Sequence, residues 1–517
     1  MEIVPVVCLD PRVYSAEATQ GCSMKKCGAK RAKFVLESVE DLRRRLRSLG
    51  SDLIVAVEQP ATAIERLTAA AVAVDPRARV EVACAEGVCT EERDDETAVA
   101  AAIAQHGATL RRVWEKTLYH LDDVQGLGGQ LPDDVFTNWR TKVEKADARL
   151  RSDLRTDEGK LPPIPPILAS EAARPVPGLK DLGYDEADAV ADPRGDFFAP
   201  VGGETAALAR LKRYIWEEDR LKDYFDTRNA MIGQGYSSKL APWLARGCVS
   251  PRRVAAETLR YERVRGIKNK STYWLRFELT WRDYFVYYAR EHGSKLFWPS
   301  GAKGLGRPGH WIREPDSREF QAWSRGQTGV PLVDANIREI LATGFMSNRG
   351  RQNVASFLTL DLGVDWRLGA AFFEEHLVDY APEANWGNCR RLRHAAAGLN
   401  GGRLNKFNIL KQSKDYDPEG RYVKLWCPEL ERIPVPQCFE PWKLNRGEQA
   451  RMGCVIGEDY PPLLRSRGQP RFPTTDAAAA GGDVRDRRWG KLGTGREARK
   501  DQNNRNKLRR KKHSRLQ

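Results

Sequence analysis

The hydrophobic period changes once along the chain, and that change limits what it can fold into. Through residue 120, short β-branched runs at residues 3–7 (IVPVV), 53–57 (LIVAV) and 80–84 (VEVAC) alternate with helical spacing over residues 31–49 and 61–74. Buried parallel strands read this way, and such alternation implies right-handed βαβ crossovers in a nucleotide-binding-type, Rossmann-like α/β domain. The first helical stretch puts Phe34, Val35, Val39, Leu42 and Leu46 on one face and stops at Gly50. From Thr205 to about Arg465 the period is helical, and nearly all of the tryptophan-rich text lies there. Between the two, residues 161–179 (LPPIPPILASEAARPVPGL) read as a Pro-rich extended connector. The expected division is an α/β domain over 1–122, a connector over 123–204, an all-helical domain over 205–465 and a basic, disordered tail over 466–517.

Charge needs apportioning before it bears on partners. The chain has 85 Lys+Arg and 70 Asp+Glu, net +15. Residues 483–517 hold 14 basic and 4 acidic residues, so +10 of the total sits in the tail and +5 in the other 482 residues. Solvated disorder explains such a tail, and LRRKKHSR at 508–515 also suits nucleic-acid binding or nuclear import. No apolar run approaches the ~18 residues that span a bilayer, so no membrane partner is expected. Ten cysteines in 517 residues are too sparse for a disulfide scaffold, and no local His completes a zinc pattern around Cys22/Cys27 or Cys84/Cys89. Reduced thiols in an intracellular protein, without a metal site, are expected.

Familiar motifs carry little. Gly304-Leu-Gly306-Arg-Pro-Gly309 matches G-x-G-x-x-G, but no β-branched strand precedes it and Pro308 disfavours the helix that should follow. G-x-S-x-G, H-E-x-x-H and P-loop sequences are absent, and the seven histidines are scattered.

Polar residues on apolar, aromatic helices carry more. In residues 273–288 (YWLRFELTWRDYFVYY), Glu278, Trp281, Arg282 and Phe285 fall at i, i+3, i+4 and i+7. One face thus presents a carboxylate, an indole and a guanidinium, unless Glu278 and Arg282 simply pair. In residues 345–360 (FMSNRGRQNVASFLTL), Asn348, Arg351, Gln352 and Ala355 share a face, and Asp361 and Asp379 follow in apolar surroundings. A buried Arg351 calls for a carboxylate partner. Residues 236–244 (YSSKLAPWL) put two hydroxyls and a lysine ahead of a helix that starts near Pro242, which suits either a phosphate site or an ordinary helix start. Together the three segments suggest a ligand with a large flat ring system and a pyrophosphate.

Residues 224–423 resemble the flavin domain of the photolyase/cryptochrome family, in its cryptochrome DASH branch. The resemblance rests on YSSKLAPWLARGCVSPRR, FELTWRDYF, GQTGVPLVDANIREILATGFMSNRGRQNVASFL, DLGVDWRLGA and KQSKDYDPEGRYV. DPRVY, RAKFVLESVEDLRRRL and WEKTLYHLDDV with LPDDVFTNWRTKVE resemble the family's antenna domain. The resemblance implies FAD as cofactor, with a folate antenna (5,10-methenyltetrahydrofolate) as a further candidate. Tyr224, Ser237, Ser238, Lys239 and Leu240 would lie at the FAD phosphates. Glu278 and Arg282 would line the mouth where a pyrimidine dimer enters, Trp281 would pack on that dimer, and Asn348 and Arg351 would flank the flavin, with Arg351 paired to Asp379. Asn385 would face flavin N5, and Trp366 is the middle member of the family's electron relay. The implied activity is light-driven electron donation from reduced FAD to a cyclobutane pyrimidine dimer in single-stranded DNA, with RNA as a further partner, by a monomer.

Departures accompany the matches. Ala381 stands where the family has an acidic residue, Cys389 where the flavin-proximal relay tryptophan stands, and Arg313 where the outermost one stands. FAD binding is expected to survive and photoreduction by that route to be poor. Residues 390–408 depart from the family's lesion-side loop. The family's first strand has no counterpart here, which would leave the α/β sheet unpaired at its centre. The alternatives are a blue-light receptor or nucleic-acid-binding regulator with little repair, or a copy that binds no flavin. Chloroplast, mitochondrion, nucleus and cytoplasm all stay open as compartments.

Overall fold

In the computed structural model, β1 (Val6–Cys8) pairs in parallel with β2 (Ile54–Ala56), and β3 (Glu81–Ala85) with β4 (Thr109–Val113). The described residues are 2–15, 24–77, 79–125, 135–145, 150–151, 159–195, 200–301, 311–393 and 406–464. The glycine motif at 304–309, most of the 390–408 loop and the basic tail lie outside them. Helices Ala29–Ser48, Pro60–Val74 and Thr90–Ala104 make the crossovers. Among the described residues the two ladders do not join, and the α/β part holds two two-stranded sheets. Between them lies a cavity of about 1170 Å³, lined by Val6, Cys8, Val82 and Cys84 from β1 and β3 and by Ile64 and Val99 from the helices above. The sheet is divided at the place where the family resemblance puts a further strand.

Two sequence expectations shift. β4 (TLRRV) escapes the reading because its two arginines interrupt any apolar run; Arg111 pairs with Glu81 of β3, and Arg112 pairs with Glu96, each at 2.7 Å. In the Ala29–Ser48 helix, Phe34 and Val39 are buried as expected, but Leu42 is 43% exposed while Arg31, Asp41 and Arg43 are buried. That helix is covered on more than its sheet side. Arg31 donates to the backbone oxygens of Glu374 and Leu377, Arg43 to those of Ala172 and Arg174, and Asp41 accepts from Thr205 N–H. Buried charge of this kind is tolerated because each group is hydrogen bonded.

The connector region is not wholly irregular. It contains the helix Phe136–Lys145, whose Phe136, Trp139 and Val143 are buried. They pack on Lys270–His292, a 23-residue helix started by Asn269, which accepts from the N–H groups of Ser271 and Thr272. That helix also joins the α/β part: buried Asp283 accepts from Leu118 and Tyr119 N–H at 2.9 Å each. On another side it meets Pro382–Arg393 so closely that a Cβ on Gly387 would lie 2.5 Å from Phe285 Cδ1. Only glycine admits that approach.

Candidate functional site

The face of Lys270–His292 that carries Glu278, Trp281, Arg282 and Phe285 forms, but its charges do not pair with each other. Glu278 accepts from Arg228 Nη1 at 2.7 Å and from Trp274 Nε1 at 3.1 Å. Arg228 also lies over the Trp274 ring at 5.1 Å. Arg282 turns away and donates to the backbone oxygens of Lys116 and Leu244, bracing the helix against its neighbours. Trp281 is half-buried, and Phe136 stacks on it with ring centroids 3.5 Å apart. Phe285 also stands near-parallel to the indole, with ring centroids 5.8 Å apart.

The segment around Ser237 and Ser238 is held from an unforeseen direction. Arg210, on helix Glu204–Lys212, donates to the carbonyls of Gln234, Ser237 and Ser238 at 2.9–3.1 Å. Lys239 is buried with φ +53°, a left-handed conformation that costs a non-glycine residue on the order of 1–2 kcal/mol. Its ammonium donates to the Gly233 carbonyl at 3.1 Å and lies over the rings of Tyr236 (4.5 Å) and Phe345 (5.2 Å). Leu240 is buried and precedes the helix Ala241–Ala245, which contains Pro242. Five residues make too short a helix for a useful dipole, so anion binding here would depend on the lysine and the backbone of the turn. Tyr224 is buried one element upstream, edge-on to Tyr214.

Helix Asn348–Ser356 meets this segment through Phe345. The Arg351 guanidinium lies 6.0 Å from that ring, so Phe345 has two cations over it, Lys239 and Arg351. Arg351 Nη2 donates to both carboxylate oxygens of Asp379, at 3.0 and 2.8 Å, and its Nε donates to Met346 O. Asn348 is exposed, and Gln352 accepts from Arg349 at 2.9 Å. Asp361 is bound by Lys406 at 2.8 Å rather than by Arg351.

On Pro382–Arg393, Asn385 donates to Ala370 O at 3.0 Å, and the Cys389 thiol lies 4.0 Å from its side-chain oxygen. Burial pushes the Cys389 thiol up to about 12, so it stays protonated. Trp366 is buried and meets Trp386 edge to face at 5.6 Å. Arg313 stands outside it, 62% exposed and 3.7 Å from Asp365.

Sequence reasoning missed Phe136, Arg210 and Arg228. Each reaches the site from another element, and only Arg228 had a visible signal, a charge within a turn-rich stretch. The donor set suits a flavin dinucleotide: a phenyl ring with two cations over it, a constrained lysine in a turn, an exposed amide at Asn348 and an aromatic face along Lys270–His292.

Comparison with known proteins agrees. Residues 274–471 match the family model described as the FAD binding domain of DNA photolyase, and residues 1–162 match that of DNA photolyase. The chain is 44% identical to cryptochrome DASH of Gloeobacter violaceus, over 94% of this chain and 91% of that one. It is 45% identical to the chloroplastic/mitochondrial cryptochrome DASH of Ostreococcus tauri, over 90% and 84%. Among solved structures, Synechocystis cryptochrome superposes with TM-score 0.79 at 39% identity and covers 91% of each chain. A class III photolyase from Agrobacterium tumefaciens, at TM-score 0.70 and 24% identity over 90% of this chain and 89% of that one, shares the fold.

Proposed function

Because the chain belongs to the photolyase/cryptochrome family, in its cryptochrome DASH branch, we propose that it splits cyclobutane pyrimidine dimers under blue light, with single-stranded DNA preferred. The observation that carries this reading is the aromatic and acidic face of Lys270–His292, where Glu278 and Trp281 stand side by side. When bound, reduced FAD supplies the photoexcited electron donor. Trp281, backed by Phe136, would stack on a pyrimidine turned out of its strand. Glu278, held by Arg228 and Trp274, offers carboxylate acceptors to pyrimidine imide N–H groups. Turning a base out costs a few kcal/mol less in a single strand than in a duplex, which favours single-stranded substrate.

Lys239, with Tyr224, Ser237, Ser238 and Leu240 around it, would hold the FAD phosphates; Asn348, Arg351, Asp379 and Asn385 would orient the ring system. Arg282 serves this site by bracing the helix, since two of its N–H groups go to backbone carbonyls. A folate is the proposed antenna and a monomer the proposed state.

The test is an absorption spectrum of the purified protein, then repair of a single-stranded oligonucleotide holding one thymine dimer, with photochemically reduced enzyme and with Glu278→Gln. Flavin bands, repair by the parent and at least tenfold slower repair by Glu278→Gln are expected. Flavin without repair would favour the second reading, a blue-light receptor, which Cys389 and Arg313 support because they remove aromatic groups from the relay. Colourless protein would overturn both.

A further inference from the structure

Trp386 has entered so far only as the neighbour of Trp366, yet a carboxyl and a phenol face its indole nitrogen. It lies one residue from Asn385, is 6% exposed and meets Trp366 edge to face at 5.6 Å and Phe297 at 5.1 Å. Its indole N–H points at Glu374 Oε2 (3.3 Å) and at the Tyr380 hydroxyl (3.2 Å), and Tyr380 is hydrogen bonded to Glu374 in turn. Trp366 differs: its indole nitrogen is buried without a hydrogen-bond partner. A tryptophan that loses an electron becomes a far stronger acid at its indole nitrogen. A carboxylate on its N–H takes the proton and holds the oxidised residue as a neutral radical, which Trp366 has no means to do.

The geometry points to Trp386 as the residue that gives an electron to the photoexcited oxidised flavin in this chain, with Glu374 as the acceptor of its indole proton. This rests on the flavin reading above. One electron passes from the Trp386 ring to the flavin. The Nε1–H bond breaks and an O–H bond forms on Glu374. An external thiol then returns an electron to Trp386, which takes its proton back from Glu374, while the thiol's own proton goes to solvent; after two such events two thiols have become a disulfide and the flavin holds their two electrons. Cys389 cannot replace a tryptophan here, being a buried, protonated thiol. Trp386 therefore supplies an aromatic donor on the helix where position 389 has lost one.

The carboxylate can accept the proton only within a pH window. Burial raises Glu374 to about 7, while Arg31 over the Tyr380 ring, the Tyr380 hydroxyl and Lys26 pull it down and Glu91 pushes it up. Above that value Glu374 is ionised and accepts the proton; below it, the proton site is filled.

The test illuminates flavin-loaded protein with dithiothreitol and follows flavin reduction by absorbance and the tryptophan radical by transient absorption and electron paramagnetic resonance. Flavin reduction at least tenfold slower in Trp386→Phe, and at most threefold slower in Trp366→Phe, is expected. The parent should show a neutral tryptophan radical whose yield rises from pH 6 to pH 8. Glu374→Gln, which keeps the packing if the phenylalanine variant fails to fold, should show only the shorter-lived cation radical with no pH dependence. Parent-like reduction in Trp386→Phe, a neutral radical that persists in Glu374→Gln, or flavin-loaded parent that is never photoreduced would each overturn the proposal. Protein without flavin bands would instead overturn the flavin reading itself.

Discussion

Phe136 lies flat on Trp281, with ring centroids 3.5 Å apart and planes 12° from parallel, so a residue of the connector backs the indole on the long central helix. Phe136 is itself buried against Trp139, Phe277 and Tyr284. Phe136→Ala should lose about 3–5 kcal/mol of stability, the cost of an emptied aromatic site. It should also weaken binding of dimer-containing DNA, because Trp281 gains freedom to turn. Urea unfolding and a DNA titration check the two effects, and Phe136→Leu should restore most of the first and little of the second.

The Arg351–Asp379 pair is expected to hold the cofactor pocket in shape. Arg351→Ala leaves a carboxylate that is 5% exposed without its cation, a loss of about 3–5 kcal/mol. The flavin-to-protein absorbance ratio should fall at least severalfold. A full flavin complement in Arg351→Ala would remove the pair from the cofactor site.

Asp283 should impose a pH dependence on stability. Burial raises it from 3.8 to about 7, against the two N–H groups of Leu118 and Tyr119 and the nearby Arg282. The folded state thus keeps a proton that the unfolded chain releases near pH 4. The stabilising contribution is complete below that value and is lost as pH rises through about 7. The urea midpoint should fall between pH 4 and 7 and level off above. Asp283→Asn should reduce that slope without abolishing it, because Glu374 titrates over the same range. An unchanged slope would exclude Asp283 as its cause.

The divided sheet predicts uneven hydrogen exchange. β1 and β3 each have one neighbour and border a cavity of about 1170 Å³, whereas Lys270–His292 is packed among aromatic residues. Amides of β1 and β3 should exchange by local opening, at least a hundredfold faster than those in the middle of that helix. Mass-spectrometric exchange resolves the two segments.

If the basic tail contacts single-stranded DNA, log K should fall against log[salt] with a slope of about 0.7 per phosphate contacted. Deleting residues 483–517, which carry +10, should flatten that slope. An equal slope in the shortened chain would assign the contacts to the body.

Sequence alone determined which residue types share a helix face, because periodicity is local. It placed Glu278, Trp281, Arg282 and Phe285 together, paired Arg351 with a carboxylate, and carried the phrases that match the family. Three of the four strands among the described residues were legible as β-branched runs, while β4 was hidden by arginines that its edge position permits. What those faces meet was decided by tertiary structure alone. Glu278 and Arg282 look like partners at i,i+4, yet Arg228 takes the first and two backbone carbonyls take the second. Arg210 and Phe136 come from 27 or more residues away in the chain to hold Ser237 and Trp281. Spacing along a chain fixes direction on one helix. A hydrogen bond or a ring contact needs a second surface within a few ångströms, and only the packed fold supplies it.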